Sequence, residues 1–205
     1  MNTENFQEIE IKFYVRDLSK LEKRLQALNA QLHQSRTHEL NLRFDTPDMR
    51  LTKSFQVLRL RQDQDIHLTY KSSADPTSEV SVRKEVEFKV GDLNAARWFL
   101  ESLGYQVTIT YEKYRTTYRL DTAEIVLDEL PYGSFVEIEA ASLQEIKILV
   151  NKLELNWDAR IKLSYLAIFN QIKEKFNLPV SNLLFREFKE LSFSMEGILR
   201  DGLNA

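Results

Sequence analysis

Two glutamates separated by one residue, the pattern Glu-x-Glu, occur three times in the chain. The first occurrence is Glu8-Ile9-Glu10-Ile11-Lys12, and the others are Glu85-Val86-Glu87 and Glu137-Ile138-Glu139. Successive side chains of a β-strand point to opposite faces, so each occurrence predicts a strand with a charged face and an apolar face. A chain with several such strands must fold so that both kinds of face are accommodated.

Basic residues follow the same alternation in other predicted strands. Arg59 and Arg61 share one face of the strand predicted from Phe55 to Gln62. The charged residues assigned to this common face are Glu8, Glu10, Lys12, Arg59, Arg61, Lys71, Arg83, Glu85, Glu87, Lys113, Arg115, Glu137 and Glu139. A solvated outer face explains any single strand of this type. Paired acids combined with basic residues from four strands are better explained by a charged interior.

About eight antiparallel strands are predicted, and helices at residues 18–28 and 93–103 interrupt them. Further helices are predicted at about 142–153, at Lys162 to Phe176 and, more weakly, at Ser181 to Leu203. This order favours an α+β fold dominated by an eight-stranded antiparallel β-barrel with flanking helices and a C-terminal helical extension. We expect a barrel domain at residues 1–177 and a helical tail at residues 178–205. Apolar residues of the tail (Phe185, Phe188, Leu191 and Phe193) predict docking on the barrel or a contact in a homodimer.

The composition excludes several classes of site and partner. The chain has no cysteine, and its three histidines lack metal-ligand spacing, which leaves carboxylates as the candidate metal ligands. The net charge of −3 suggests no nucleic-acid partner. No apolar run is long enough to cross a membrane, and no signal peptide is recognised, so we expect a cytoplasmic protein without a membrane partner.

A barrel interior that holds both sets of charges suits a polyanion and a metal. Arginine forks fit phosphate oxygens, and lysine supplies a point charge. Paired carboxylates suit a hard divalent ion such as Mg²⁺ or Mn²⁺, which would bridge to the same phosphates. Phosphoryl transfer needs positioning, charge neutralisation and an oriented nucleophile, and these residue types can supply all three.

Several short motifs in a fixed order carry a family resemblance. They are Glu8-Ile9-Glu10-Ile11-Lys12, Phe44-Asp45-Thr46-Pro47, Leu58-Arg59-Leu60-Arg61, Lys71, Arg83-Lys84-Glu85-Val86-Glu87, Lys113-Tyr114-Arg115, Asp128 and Gly133-Ser134-Phe135-Val136-Glu137-Ile138-Glu139. This set, over about residues 7 to 168, resembles the CYTH superfamily, the triphosphate tunnel metalloenzymes. That group includes class IV adenylate cyclases, thiamine triphosphatases and inorganic tripolyphosphatases.

The resemblance implies roles for the charged residues. The residues that would bind the triphosphate are Lys12, Arg59, Arg61, Lys71, Arg83, Lys113 and Arg115. The residues that would hold the metal are Glu8, Glu10, Asp128, Glu137 and Glu139. Glu85 and Glu87 would serve a second metal or the attacking water and, with Lys12, form the catalytic set. Lys162 resembles a basic residue that closes the tunnel mouth, although a solvated lysine at the start of a helix is the simpler explanation.

One segment departs from the family pattern. The residues before Asp45 commonly read Asp-x-Tyr-Phe in the family, and this chain has Asn41-Leu42-Arg43-Phe44. Arg43 shares a face with Asn41 and would add a further cation to the tunnel, so the departure bears on the substrate subgroup.

We therefore expect metal-dependent hydrolysis of inorganic triphosphate or of a small organic triphosphate such as thiamine triphosphate. A class IV adenylate cyclase, which converts ATP to cyclic AMP and pyrophosphate, is the first alternative. A non-catalytic module that binds polyphosphate or nucleotide is the second. The sequence does not reveal whether water or a ribose hydroxyl is the nucleophile.

Overall fold

Eight strands form a closed antiparallel barrel in the computed structural model, which describes residues 7–195 and 197–203. The strands are β1 (Gln7–Tyr14), β2 (Gln31–Asp45), β3 (Val57–Gln62), β4 (Ile66–Lys71), β5 (Ser81–Lys89), β6 (Gln106–Leu120), β7 (Ala123–Leu130) and β8 (Gly133–Glu139). Their order around the barrel is β1-β5-β4-β3-β2-β6-β7-β8, and β8 pairs with β1 to close it. The predicted fold class is confirmed.

Within the described residues, helices flank the barrel, three in connections between strands and three after β8. They are α1 (Leu18–Ala27), α2 (Arg50–Lys53), α3 (Leu93–Ser102), α4 (Leu143–Lys152), α5 (Tyr165–Phe176) and α6 (Phe185–Phe188), with a 3₁₀ turn at Trp157–Ala159. Side chains at the N-caps fix several helix starts. Asp17 accepts from the Ser19 N–H at α1, and Asp92 accepts from the Ala95 N–H at α3.

The apolar faces of the strands pack outward against these helices. Ile11 and Phe13 of β1 are buried in one cluster with Leu21 of α1 and Ile146 of α4. Burying a side chain of this size contributes about 1.5–3 kcal/mol. Because the helices cover the apolar face, the charged face of the same strands is left to line the barrel interior.

Although the barrel is closed, β1 and β6 each extend beyond a neighbouring strand. The C-terminal third of the chain covers these unpaired parts of the two strands. β7 pairs with β6 from Tyr114 onward, and the preceding edge of β6 is bridged by Leu183, whose carbonyl accepts from the Glu112 N–H at 2.9 Å. At β1, the Ile161 N–H donates to the Lys12 carbonyl at 2.7 Å, and the Gly202 N–H donates to the Tyr14 carbonyl at 2.7 Å. These bridges satisfy backbone groups that an open edge would expose.

The same bridges explain two differences from the predicted helices. The helix predicted from Lys162 begins at Tyr165, because Ile161 is held extended against β1 and Ser164 caps α5 by accepting from the Ala167 N–H. The helix predicted over residues 181–203 is reduced to Phe185–Phe188, and the rest of the described tail is irregular.

The tail packs on the barrel through apolar side chains. Leu183, Phe188 and Met195 are buried in one cluster with residues of α5 and of the barrel, and Leu191 and Phe193 pack against it. The tail therefore docks as one of the two sequence interpretations predicts, while the homodimer and the division at residues 177 and 178 stay predictions. None of the described helices is long and apolar enough to span a membrane.

Candidate active site inside the barrel

A polar cavity of about 440 Å³ occupies the barrel interior. Its lining includes every predicted site residue except Asp128. Alternation along eight strands explains this outcome, since each strand sends every second side chain inward. The sequence prediction that the charged face points inward is therefore correct in placement, while the roles of the residues remain proposals.

The strand register brings acidic residues close together on β1 and β8. Glu10 lies opposite Glu139 across the β1–β8 pair, and Glu139 lies opposite Glu124 across the β7–β8 pair. Burial, together with the charges of Glu8, Glu10 and Glu124, raises the pKa of Glu139 to about 7. Like charges placed directly opposite are destabilising, so this part of the cavity favours a bound cation.

Lys71 of β4 lies between two of the acids. Its Nζ is 2.5 Å from Glu8 Oε1 and 2.9 Å from Glu85 Oε2. Burial disfavours the charged form of this lysine, but Glu10, Glu8 and Glu85 outweigh it and raise the pKa of Lys71. Burial and the Glu85 charge raise the pKa of Glu8 against the effect of Lys71. Lys71 thus neutralises the acids and remains a cation.

Two arginines of β3 are oriented by one acid of β5. Glu87 Oε1 is 2.9 Å from Arg61 Nη2, and Glu87 Oε2 is 3.5 Å from Arg59 Nη2. The Thr69 hydroxyl also donates to Glu87 Oε2 at 2.6 Å. Burial disfavours the Glu87 carboxylate, but Arg61, Thr69 and Arg59 outweigh it and lower the pKa of Glu87. Glu87 is therefore ionised and holds both guanidinium groups in place.

A second network joins β1, β6, β7 and β8. Lys12 Nζ is 2.7 Å from Glu137 Oε1, and Arg115 Nη2 is 2.8 Å from Glu137 Oε2. Burial opposes ionisation of Glu137, but Lys12, Arg115 and Lys113 hold the pKa of this carboxyl well below its usual range.

Asp128 lies behind this network and is fully buried. Its Oδ1 accepts from Arg115 Nε at 2.8 Å, and its Oδ2 accepts from Arg115 Nη2 at 2.6 Å, Lys113 Nζ at 3.0 Å and the Tyr165 hydroxyl at 2.9 Å. Both oxygens are thus engaged, and the side chain is absent from the cavity lining. The structure places this predicted metal ligand where it orients basic residues.

Arg83 and Lys162 also line the cavity. Arg83 Nη2 donates to the Ser81 hydroxyl at 3.0 Å. Lys162 Nζ donates to the Ser78 carbonyl at 2.8 Å, which connects the segment before α5 with the loop before β5. Lys162 is therefore located beside the cavity as expected, and its closing role remains a proposal.

Sequence reasoning missed several residues of the interior. Glu39 is fully buried near Lys113, Arg61 and Arg115. Tyr111, Thr117, Glu124 and Tyr165 line the cavity. The signal that could have found Glu39 is the alternation Glu39-x-Asn41-x-Arg43, which places all three residues on the inward face of β2.

The acidic residues fit a divalent cation. Glu8 Oε2 is buried and has no hydrogen-bond partner among the described residues, and the repulsion around Glu139 would fall if a cation bound there. The described side chains contain no ready-made group of three metal ligands, because Lys12 and Lys71 now hold Glu137, Glu8 and Glu85. Glu8, Glu10, Glu137 and Glu139 are the residues that could turn to a metal, with oxygen donors that suit Mg²⁺ or Mn²⁺.

Comparison with known proteins agrees with this architecture. The sequence profile described as the CYTH domain matches residues 7–164. The chain belongs to the CYTH family. A relative from Methanocaldococcus jannaschii, named "putative adenylate cyclase", is 26% identical to this CYTH chain over 173 residues, which cover 78% of the chain and 97% of the relative.

Solved structures share the CYTH barrel. A "putative adenylate cyclase" from Vibrio parahaemolyticus has a TM-score of 0.69 at 22% identity, with 80% of this chain and 97% of that chain covered. A "putative adenylyl cyclase" from Hippeastrum has a TM-score of 0.59 at 20% identity, with 80% and 95% covered. At these identities the structures establish the common fold.

Proposed function

We propose that the protein is a divalent-metal-dependent triphosphatase, which hydrolyses inorganic triphosphate or a small organic triphosphate such as thiamine triphosphate. The observation that carries this proposal is the polar cavity of about 440 Å³ in which basic residues and acid pairs face each other. A triphosphate needs many cationic donors, and the charge that remains on it needs a metal. The cavity in this barrel contains both the cationic donors and the candidate metal ligands.

The basic residues would bind and orient the phosphate groups. Arg59 and Arg61 are already held by Glu87, so their forks need little reordering when a substrate enters. Arg115 is held in the same way by Asp128. The remaining cations of the proposed set, Lys12, Lys71, Lys113 and Arg83, surround the same space.

The acids on β1 and β8 would hold the metal. We assign Glu8, Glu10, Glu137 and Glu139 as its ligands, and we propose that Asp128 serves the site by orienting Arg115. Bound Mg²⁺ or Mn²⁺ would neutralise charge on the phosphates and polarise the reacting phosphoryl group.

The acids on β5 would serve the attacking water. Water oxygen forms a bond to the terminal phosphorus, the bond from that phosphorus to the bridging oxygen breaks, and the remaining diphosphate leaves with the electron pair. Glu87 already accepts from three donors, so we propose that Glu85 orients the water and accepts its proton. Lys71, 2.9 Å from Glu85, would keep that carboxylate in place.

The relatives support a triphosphate substrate and leave two reactions to compare. The Hippeastrum protein is described as having a dominant triphosphatase activity, which supports the hydrolase. The names of the Methanocaldococcus and Vibrio proteins favour an adenylate cyclase as the second candidate. In that reaction the ribose 3′-hydroxyl of ATP replaces water as the nucleophile, and pyrophosphate leaves.

The products distinguish the two reactions. The purified protein is incubated with tripolyphosphate, thiamine triphosphate or ATP, each with Mg²⁺ or Mn²⁺, and orthophosphate, pyrophosphate and cyclic AMP are measured. We expect orthophosphate release from tripolyphosphate or thiamine triphosphate. Cyclic AMP and pyrophosphate without orthophosphate would overturn the hydrolase in favour of the cyclase, and binding without any product would indicate a non-catalytic module.

Matched variants test whether the cavity performs the reaction. Arg59→Met should lower kcat/KM by at least about 100-fold, because a fork that stabilises transferring phosphate charge is lost. Arg97→Met makes the same charge change on α3, where the side chain is half exposed and pairs with Glu101, and should leave the activity unchanged. Equal activity in both variants would place the reaction outside the barrel.

A further inference from the structure

Arg43 of β2 lines the cavity without an acidic partner. It takes part in no ion pair among the described residues, whereas Lys12, Lys71, Lys113 and Arg115 each pair with a carboxylate. Its Nε is out of contact with solvent and has no hydrogen-bond partner. Its Nη2 makes one contact of 3.5 Å with the Gln56 carbonyl, which is at the limit of a hydrogen bond.

Other cations surround Arg43. Arg59 lies directly opposite it in the β2–β3 register. Burial lowers the pKa of Arg43, and the charges of Arg59 and Arg83 lower it further against the effects of Tyr111 and Asp45. A partly buried guanidinium that is repelled by two others is costly in the free protein. An anion in the cavity would offset that cost.

The Tyr111 hydroxyl lies in the field of the same cations. Burial opposes ionisation of its hydroxyl, but Arg59, Lys113 and Arg43 outweigh it and bring the pKa of Tyr111 below the ordinary value. The positive potential around this hydroxyl thus comes from at least three cations, and the hydroxyl can itself donate to an oxygen of an anion.

Unsatisfied donors are concentrated on this side of the barrel. The Nε atoms of Arg43, Arg59 and Arg61 and the Nδ2 atom of Asn41 are buried donors without partners among the described residues; the Asn41 Oδ1 acceptor is unpaired as well. Asn41 is fully buried and lies two residues before Arg43 on the same face of β2. Buried donors normally have partners, and a group of them without partners indicates a missing ion or water. A phosphoryl group, with three acceptor oxygens, matches several donors at once.

We infer that Arg43, with the Arg59 guanidinium and the Tyr111 hydroxyl, forms a subsite for one phosphoryl group on the β2–β3 side of the cavity. The inference rests on the proposed function and extends it, since Arg43 lies outside the set of residues proposed above to bind the triphosphate. The subsite would fix one end of the polyphosphate and so determine how the chain lies across the acids of β1 and β8.

Binding and stability together test the subsite. Calorimetric titrations with Mg²⁺ and a bridging-imido analogue of tripolyphosphate, which resists hydrolysis, give the affinities of wild type and variants. Arg43→Met should raise the Kd at least tenfold, and Arg43→Lys should raise it less, because the charge remains and the fork is lost. Arg97→Met, with the same charge change on α3, should bind as wild type does.

Replacing Arg43 should weaken ligand binding without lowering the stability of the ligand-free protein. Without ligand, Arg43→Met should unfold at the same or a higher urea concentration than wild type, because it removes an unpaired buried charge and keeps a side chain of similar length. A structural role for Arg43 predicts a lower unfolding midpoint for this variant, and that result would overturn the subsite.

The outcomes separate the inference from the proposed function. Wild-type protein that fails to bind the analogue would overturn both. Wild-type protein that binds it, with Arg43→Met binding equally well, would overturn the subsite alone. If Arg43→Lys binds as tightly as wild type, positive charge alone is sufficient. That result would overturn the proposed role of the guanidinium geometry of Arg43.

Discussion

The Glu39 carboxylate is fully buried and faces several cations. Its Oε1 is 3.4 Å from Arg61 Nη1 and 3.6 Å from Arg115 Nε, and its Oε2 is 3.4 Å from Lys113 Nζ. The residue has 0% of its surface exposed. We predict that Glu39→Gln, which keeps the shape and removes the charge, destabilises the ligand-free protein strongly.

The size of the effect follows from the pKa. Burial would raise the pKa of Glu39, but Lys113, Arg115 and Arg61 outweigh it and lower the value from the ordinary 4.5 to about 2. At about 1.4 kcal/mol for each tenfold change in proton affinity, this corresponds to about 3 kcal/mol of stability at pH 7. Removing one partner of a buried ion pair costs about 3–5 kcal/mol, which agrees with that magnitude.

The pH dependence has a definite sign. Because the pKa of Glu39 is lower in the folded than in the unfolded protein, its contribution is complete above pH 4.5 and is lost as the pH falls toward 2. The difference in unfolding free energy between wild type and Glu39→Gln should therefore be constant near neutral pH and shrink in acid.

Urea unfolding followed by far-UV circular dichroism, at pH 7 and at several values below 4.5, measures this difference. Glu101→Gln is the control, because that acid lies on the surface of α3 and pairs only with Arg97 among the described residues, and it should change stability by less than about 0.5 kcal/mol. A loss below 1 kcal/mol for Glu39→Gln at pH 7, or a difference that does not shrink in acid, would refute the assigned pairing.

Three further predictions concern the tail, Asp128 and the metal. Gly202→Ala should cost about 1–3 kcal/mol in urea unfolding, because the added Cβ would lie 2.7 Å from Phe13 Cβ, and unchanged stability would mean that the tail is not pinned there. Tyr165→Phe should cost about 1–3 kcal/mol, because it removes a buried hydroxyl that donates to Asp128 at 2.9 Å; a neutral effect would show that the lysine and arginine contacts alone hold that acid. Chelation with EDTA should abolish phosphate release and shift the melting temperature by no more than a few degrees, because Lys12 and Lys71 already pair with the acids; unfolding on chelation would contradict a fold that stands without metal.

Most of the barrel could be predicted from the sequence because alternation is a local signal. In the motif Glu8-Ile9-Glu10-Ile11-Lys12 the charged and apolar faces can be read directly. The same Glu-x-Glu pattern recurs in β5 and β8, which indicates that the charged faces of these strands line one common interior. The order of strands, by contrast, depends on contacts between distant residues such as Glu10 with Ser81 and Glu139. No local pattern encodes those pairings.

The sequence predicted which side chains line the cavity better than it predicted their partners. The family resemblance implies that Asp128 is a metal ligand, but it does not show that Arg115, Lys113 and Tyr165 already occupy its oxygens. Glu39 was missed because it lacks the paired spacing of the other acids. The tail was predicted as a longer helix because its apolar spacing resembles one, while backbone bridges such as that from Gly202 to Tyr14 hold it extended.

The closure of the barrel through β1 has a consequence for synthesis. β1 leaves the ribosome before both of its partners, β5 on one edge and β8 on the other. At about 5–20 residues per second, translation reaches β8 on the order of ten seconds after β1 has emerged. During that interval the edge of β1 that pairs with β8 has no partner, and the Glu8, Glu10 and Lys12 side chains are the kind of charges that keep free strand edges from aggregating. The residues proposed to bind metal and phosphate in the finished barrel would thus have a second use, as charges on an open strand edge before a cavity exists.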